Sequence, residues 1–313
     1  MNKFGLGIIG LGVIGERLMP VFLEHPGIEV VSVTDTDQDR MDYMEDKFGV
    51  TSVLDYKEML SDDRIQMIYL AVPPKYHHDI AIDIMRAGKH ILCEKPLAGT
   101  IEEAEKMSEI AKETQVVHAM NFPLYYGFAY NKIKSMLKND VLGRIKALEI
   151  KGVFPTWPRS WQQNNWIDTR QEGGFTREIF THYVQLIQSS FGLIQDLESR
   201  ASYPNQDKSE ATLIGMGHID DISVLFYGMT GIGQEEDLRF TLYGDKGKVE
   251  LINWRQVIYT NLEGSQIIEP EPVNATYDLI HAFYQAVRGQ ESDLVSFEDG
   301  LNATKVVEKL LKA

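Results

Sequence analysis

The chain has 313 residues, 31 Lys plus Arg against 46 Asp plus Glu, a formal charge of −15 and 43% hydrophobic content. That length and composition predict two globular domains, and the acidic balance argues against binding nucleic acid or an anionic membrane, either of which needs a basic footprint. A single cysteine, Cys93, excludes an internal disulfide and points to a reducing, cytoplasmic setting. No apolar run approaches the ~20 residues of a bilayer span. Met1-Asn2-Lys3 before Phe4 to Gly15 has the outline of a secretory leader. The glycines at 5, 7, 10, 12 and 15 and the charged Glu16-Arg17 break that pattern, so the expectation is a soluble, unprocessed chain.

Phe4 to Ile9 reads as a strand, followed by a glycine-rich turn and a helix to about Leu23. Pro20 conflicts with that helix, because proline in an unconstrained helix interior costs about 3 kcal/mol. A break at His25-Pro26-Gly27 precedes a strand from Glu29 to Thr34 and a helix from Asp37 to Phe48. Ile65 to Val72 is a continuous apolar strand stopped by Pro73-Pro74. A helix from Ile80 to Ala87 and a strand from His90 to Cys93 come next. Strict alternation with short buried strands predicts a parallel sheet covered on both faces.

Gly10-Leu11-Gly12-Val13-Ile14-Gly15 fits G-x-G-x-x-G between that first strand and its helix, the context in which the pattern acquires a mechanism. Gly10 permits the tight turn, Gly12 the approach of a pyrophosphate and Gly15 the close packing of helix on strand. The helix N-terminus offers unpaired N–H groups to the phosphates. Asp35, 20 residues beyond Gly15 at the end of the second strand, is placed to bind ribose hydroxyls. Its charge would meet a 2′-phosphate, and neighbouring Thr36 and Asp37 offer no cation, so NAD is expected over NADP. Arg40 could reach back toward that position, but a surface place on the following helix is its plainer role. The fingerprint residues are thus Gly10, Gly12, Val13, Ile14, Gly15, Asp35 and Thr36.

A second regime begins near Asn121, dividing the chain into 1–121 and 122–313. A helix at Tyr130 to Leu137 is followed by strands at Ile145 to Phe154, Ala211 to Gly217, Ile222 to Tyr227 and Leu238 to Tyr243. The turn Gly244-Asp245-Lys246-Gly247 leads into Lys248 to Ile252. Strands joined by tight turns predict a largely antiparallel or mixed sheet. Helices at Tyr277 to Val287 and Asp299 to Leu311 close the chain, and Ser202 to Glu210 reads as a loop.

Three segments carry a resemblance. Ala71-Val72-Pro73-Pro74-Lys75-Tyr76-His77, then Ala87-Gly88-Lys89-His90-Ile91-Leu92-Cys93-Glu94-Lys95-Pro96-Leu97-Ala98, and later Gly173-Gly174 with Glu178 and His182, resemble the glucose–fructose oxidoreductase / inositol dehydrogenase (Gfo/Idh/MocA) family. In that family the last pattern carries Asp where this chain has Glu178. The resemblance spans nearly the whole chain. It implies an α/β architecture: an N-terminal Rossmann domain and a C-terminal α+β domain with an open, largely antiparallel sheet that builds homodimers or homotetramers. It also implies that Ala71, Val72, Pro73, His77, Glu94 and Lys95 join the cofactor residues, that Lys95 is catalytic, and that His182 with the acid at 178 serves the substrate.

The chemistry of these residue types agrees. Oxidising a secondary alcohol sends hydride to a nicotinamide and a proton to a base, and a placed acid–base group contributes on the order of 10²–10⁴-fold. Histidine suits that role near neutral pH. Glu178 and His182, four apart, would share one helix face. The expectation is an NAD-dependent oxidoreductase acting on the hydroxyl or keto group of a sugar, cyclitol or related small molecule. The alternatives are a non-catalytic dinucleotide-binding regulator or sugar sensor on the same scaffold, and a reductase of a diol, imine or biliverdin-like compound. Trp157, Trp161 and Trp166, with Arg159 and Arg170, either line a sugar site or pack a loop onto the core. Cys93 reads as a buried apolar residue, and His77-His78 lacks a third metal ligand.

Overall fold

The computed structural model describes residues 3–162 and 165–312. Met1 and Asn2, where the leader-like stretch begins, lie outside them. In chain order the first elements are β1 (Phe4–Ile9), α1 (Val13–Glu24), β2 (Ile28–Thr34), α2 (Gln38–Phe48), α3 (Tyr56–Ser61), β3 (Ile65–Leu70), α4 (His77–Arg86), β4 (His90–Cys93), α5 (Ile101–Thr114) and β5 (His118–Met120). The strands form one parallel sheet in the order β2-β1-β3-β4-β5. Its strands are buried almost throughout because helices follow them in alternation, and Ile8, Ile68, Leu70, Ile91 and Leu92 are inaccessible to solvent.

Pro20 does lie inside α1, and the helix runs through it. The ring sits on the exposed side of the helix. Helix α2 begins under an Asp37 cap and ends at Gly49 in left-handed backbone (φ 67°), while α5 opens with a Thr100/Glu103 capping box.

The remaining elements are α6 (Pro123–Tyr126), α7 (Phe128–Lys138), β6 (Ile145–Phe154), α8 (Thr181–Phe191), β7 (Gln195–Ser202), β8 (Thr212–Ile219), β9 (Ile222–Thr230), β10 (Asp237–Gly244), β11 (Lys248–Ile252), β12 (Gln256–Asn261), β13 (Gly264–Ile268), α9 (Ala275–Val287) and α10 (Phe297–Leu311). The eight strands from β6 onward make a second sheet, ordered β13-β12-β11-β10-β6-β9-β8-β7. Every neighbouring pair is antiparallel except β6 and β9. One face packs beneath α7, α8 and the end of α10, through residues such as Ile133, Tyr183, Ile187, Phe226, Phe240 and Leu310. On the other face Ile214 (62%), Met216 (55%) and Leu225 (40%) are exposed, and Met216 and Leu225 are direct cross-strand partners.

By compactness the chain forms two units, one of residues up to Pro123 together with Asn274–Leu301, the other of Leu124–Val273 with the chain from Asn302 onward. This differs from a simple division at residue 121, because α9 packs with the N-terminal unit. Tyr284 meets Phe4 edge-on at 5.9 Å. His25 Nε2 lies 3.1 Å from His281 Nδ1, and a side chain at Gly27 would run into the Tyr284 ring.

Candidate active site

Parallel strands deliver their C-terminal ends to one edge, where ligands of open α/β sheets bind at the point of divergent connections. In this sheet that edge carries Gly10 after β1, Asp35 after β2, Ala71 to Pro73 after β3, Glu94 and Lys95 after β4, and Asn121 after β5. The first two are joined directly, since the Leu11 N–H donates to Asp35 Oδ2 at 2.6 Å. Asp35 Oδ1 also accepts from the Asp37 N–H at 3.1 Å, so the carboxylate fixes its own loop as well as the glycine turn.

The glycines divide by function. Gly10 has φ +95°, and a Cβ there would fall 2.5 Å from the Ala71 carbonyl; a Cβ on Gly15 would fall 2.4 Å from the Gly10 carbonyl. Both are required by the fold. At Gly12 a Cβ would meet nothing within 4 Å, and the residue is exposed at the start of α1. The space beside Gly12 is open, at the N-terminus of α1. Val13 is 63% exposed beside it. Arg40 reaches back to the glycine turn: its Nε donates to the Leu11 carbonyl at 2.5 Å, and its guanidinium pairs with Glu16. Lys47 also reaches Glu16 at 2.6 Å, and the two cations hold that carboxyl down to about 2.

His77 is buried. Its Nε2 lies 2.8 Å from the Val72 carbonyl and its Nδ1 2.9 Å from the Pro96 carbonyl. The ring thereby ties the loop after β3 to the loop after β4. Burial pushes its pKa down, against the pull of those carbonyls. It sits between the two loops, facing the backbone of both. Glu94 is held similarly: Tyr69 donates its hydroxyl at 2.5 Å, and the Asn121 amide donates to the same oxygen. Burial raises the Glu94 carboxyl despite these donors. The adjacent Lys95 precedes a cis Pro96 and is partly exposed at this edge. Cys93 is fully buried with its thiol pushed up by burial, so it is no nucleophile.

In the second unit Glu178 and His182 fall on one continuous helical segment, but not a plain α-helix. Thr176–Phe180 forms a π-turn leading into α8, a local widening often found at functional sites. Its start is held by Glu210, buried to 1%, which accepts from the Thr176 N–H at 2.7 Å and hydroxyl at 2.6 Å. Gly174 makes room: it has φ +105°, and a Cβ there would lie 2.1 Å from the Glu210 carboxylate. Arg177 pairs with Glu308 at 2.6 Å and donates to the carbonyls of Arg170 and Gly173. Beyond these, the His182 ring meets Trp254 at 5.5 Å, nearly perpendicular.

The aromatic segment divides. Trp157 packs on Phe154 and Phe175 and donates its indole N–H to the Ile167 carbonyl at 3.1 Å, whereas Trp161 is 63% exposed. Arg159 makes a two-pronged pair with Glu236, and Arg170 stacks over Tyr203 at 3.9 Å, so both cations already have protein partners. Sequence reasoning passes over Glu210 and Trp254. Each acts across more than thirty residues of chain, and no local spacing links either to Glu178 or His182.

One sheet edge thus gathers the glycine turn, Asp35 and the Glu94-Lys95-Pro96 turn, as in the NAD-binding Rossmann fold of an oxidoreductase. The chain belongs to the Gfo/Idh/MocA oxidoreductase family: residues 4–122 match its NAD-binding Rossmann fold and residues 134–313 its C-terminal alpha/beta domain. It is similar to 1,5-anhydro-D-fructose reductase of Ensifer adhaerens, 26% identical over 96% of this chain and 92% of that protein. It is also similar to myo-inositol 2-dehydrogenase of Thermotoga maritima, 24% identical over 94% and 91%. Among solved structures, levoglucosan dehydrogenase in complex with NADH and levoglucosan superposes with a TM-score of 0.86 at 19% identity, covering 99% of this chain and 96% of that one. Biliverdin reductase of Synechocystis sp. PCC 6803, in complex with biliverdin and NADP+, has a TM-score of 0.82 at 19% identity, over 99% and 98%. Among the described residues, no helix is long and apolar enough to cross a membrane.

Proposed function

We propose that the protein moves hydride between NAD and a hydroxyl or keto carbon of a sugar, cyclitol or related small molecule. The observation that carries this reading is the Glu94-Lys95-Pro96 turn. It is pinned by Tyr69, Asn121 and His77 at the sheet edge that also holds the Gly12 cradle. When bound, the dinucleotide supplies the hydride acceptor or donor. Gly10, Gly12, Val13, Ile14 and Gly15 hold its phosphates, Asp35 and Thr36 its adenosine ribose, and Ala71, Val72, Pro73, Glu94 and Lys95 the part nearer the chemistry. His77 acts from behind, through the Val72 and Pro96 carbonyls.

Lys95 donates to the substrate oxygen, His182 takes or returns the proton, and Glu178 orients the imidazole or a substrate hydroxyl. NAD is preferred because the Asp35 carboxylate opposes a 2′-phosphate, and Arg40 on the following helix is already paired with Glu16. The substrate class follows that of relatives acting on anhydrofructose, inositol and levoglucosan. The exposed Ile214, Met216 and Leu225 face serves a homodimer or homotetramer, and the lone buried cysteine suits the cytoplasm.

The test is reduced-nicotinamide absorbance with NAD and NADP over a panel of sugars, cyclitols and sugar acids, with Lys95→Ala and His182→Asn alongside. Turnover with NAD that falls at least a hundredfold in either variant, while NADH still binds, is the expected result. Undiminished turnover in Lys95→Ala overturns the assignment. Tight NADH binding with no turnover on any compound favours a sensor.

A further inference from the structure

The β11–β12 hairpin turns through Asn253 and Trp254, both in left-handed backbone with φ of 45° and 72°. The Arg255 N–H closes the turn onto the Ile252 carbonyl at 3.1 Å. Asparagine tolerates this conformation and glycine is the usual second residue. A bulky aromatic there is an outlier that persists only where its surroundings fix it. Here they do. The Asn253 N–H donates to the Leu238 carbonyl at 2.9 Å, and the Asn253 side chain accepts from the Leu238 N–H at 3.0 Å, fastening the turn to the start of β10.

The indole so held contacts two consecutive residues of α8. It stacks on Tyr183 at 5.2 Å with planes 15° apart, and it meets the His182 ring at 5.5 Å and 89°. Tyr183 is fully buried and packs in turn on Phe240, so the indole rests on a rigid floor. One side of the imidazole is thus walled by a ring whose own backbone is set in a disfavoured conformation.

We infer that Trp254 is a positioning residue that fixes the orientation of the His182 imidazole for proton transfer. This rests on the reading of His182 as the acid–base group. A gap-filling role would have been met by any apolar side chain on a relaxed turn, whereas this turn keeps an indole where glycine fits best.

The test compares Trp254→Gly, which suits the left-handed backbone, with Trp254→Phe, which keeps an aromatic ring. The readouts are His182 ring resonances in ¹³C-labelled protein, assigned with His182→Asn, together with kcat and KM on the panel compound that the wild type oxidises. In Trp254→Gly the His182 resonances should move, and kcat should fall on the order of 10- to 100-fold, with KM and NADH affinity changed only a few-fold. Trp254→Phe should restore most of kcat. Unmoved His182 resonances, or losses of NADH binding and thermal stability that parallel the loss of kcat, overturn the inference. Full turnover in His182→Asn would remove the acid–base reading beneath it, separately from whether Trp254 fixes that ring.

Discussion

The Leu11 N–H donates to the Asp35 side chain at 2.6 Å, so the residue proposed to bind ribose is also a strut of the phosphate-binding turn. On the proposed reading, cofactor choice and loop shape are coupled in one carboxylate. Asp35→Asn removes the charge, and its single amide oxygen can keep the Leu11 N–H while the Asp37 N–H loses its acceptor. The expected result is roughly tenfold weaker NADH binding, from exchange of a charge-assisted for a neutral hydrogen bond. NADPH binding should hold or improve. Fluorescence titration with both nucleotides measures this, and a parallel loss of both would mean that the loop, not the charge, sets affinity.

Gly12 and Gly15 should respond oppositely to a single methyl group. Gly12→Ala has open space for its Cβ and should keep its melting temperature while NADH affinity drops at least tenfold. Gly15→Ala forces a Cβ against the Gly10 carbonyl and should lose about 1–3 kcal/mol of stability by denaturant titration.

Glu210 and Gly174 should behave as a matched pair. Glu210→Gln preserves an acceptor for the Thr176 N–H and hydroxyl and should be nearly neutral for stability. Glu210→Ala leaves those buried donors without a partner and should cost about 1–3 kcal/mol. Gly174→Ala should be worse than either, because its Cβ clashes with the carboxylate and its φ is strained. Chemical denaturation of the three variants orders them.

Acid should weaken the fold through His25. This ring is 1% exposed, accepts from the Gly27 N–H at 3.2 Å through Nδ1, and passes its own Nε2 proton toward His281 Nδ1. His281 Nε2 in turn lies 3.0 Å from the Gln285 amide. Burial, with the nearby His281, pushes the folded pKa of His25 down to about 4. An unfolded histidine takes up its proton near pH 6.5, so between those values the unfolded chain binds more protons and stability falls as pH drops. The contribution is complete above about pH 6.5, declines toward pH 4, and is on the order of 3 kcal/mol. Urea titrations at pH 7.5, 5.5 and 4.5 should display that slope, and His25→Gln should flatten it. An unchanged slope in the variant would assign acid sensitivity to other groups.

What was legible in the sequence follows from where apolar periodicity and punctuation coincide. The β4, β6 and β11 bounds read from the sequence match the structure because each is an uninterrupted strand between turn residues. Strands β7, β12 and β13 carry no clear signal in the sequence: β13, at one edge of the sheet, is exposed along nearly its whole length, and no alternation marks it. The short α3 and the capped α5 likewise lie outside the helices read from the sequence. In the candidate site, the glycine turn, Asp35 and the Glu94-Lys95-Pro96 run are contiguous signals. The Arg40 contact to Leu11, the π-turn at Thr176–Phe180 and the Trp254 wall exist only once distant strands and helices have packed.

The grouping of Asn274–Leu301 with the N-terminal sheet makes the second unit, in chain order, mostly an insertion into the first. A recombinant dinucleotide-binding half cut at Pro123 would lack α9. It would leave His25, Phe4 and the face above Gly27 without the Tyr284 and His281 rings that cover them. A transplantable cofactor module must therefore be assembled from both ends of the gene, with residues 124–273 replaced by a short linker rather than trimmed off as a tail.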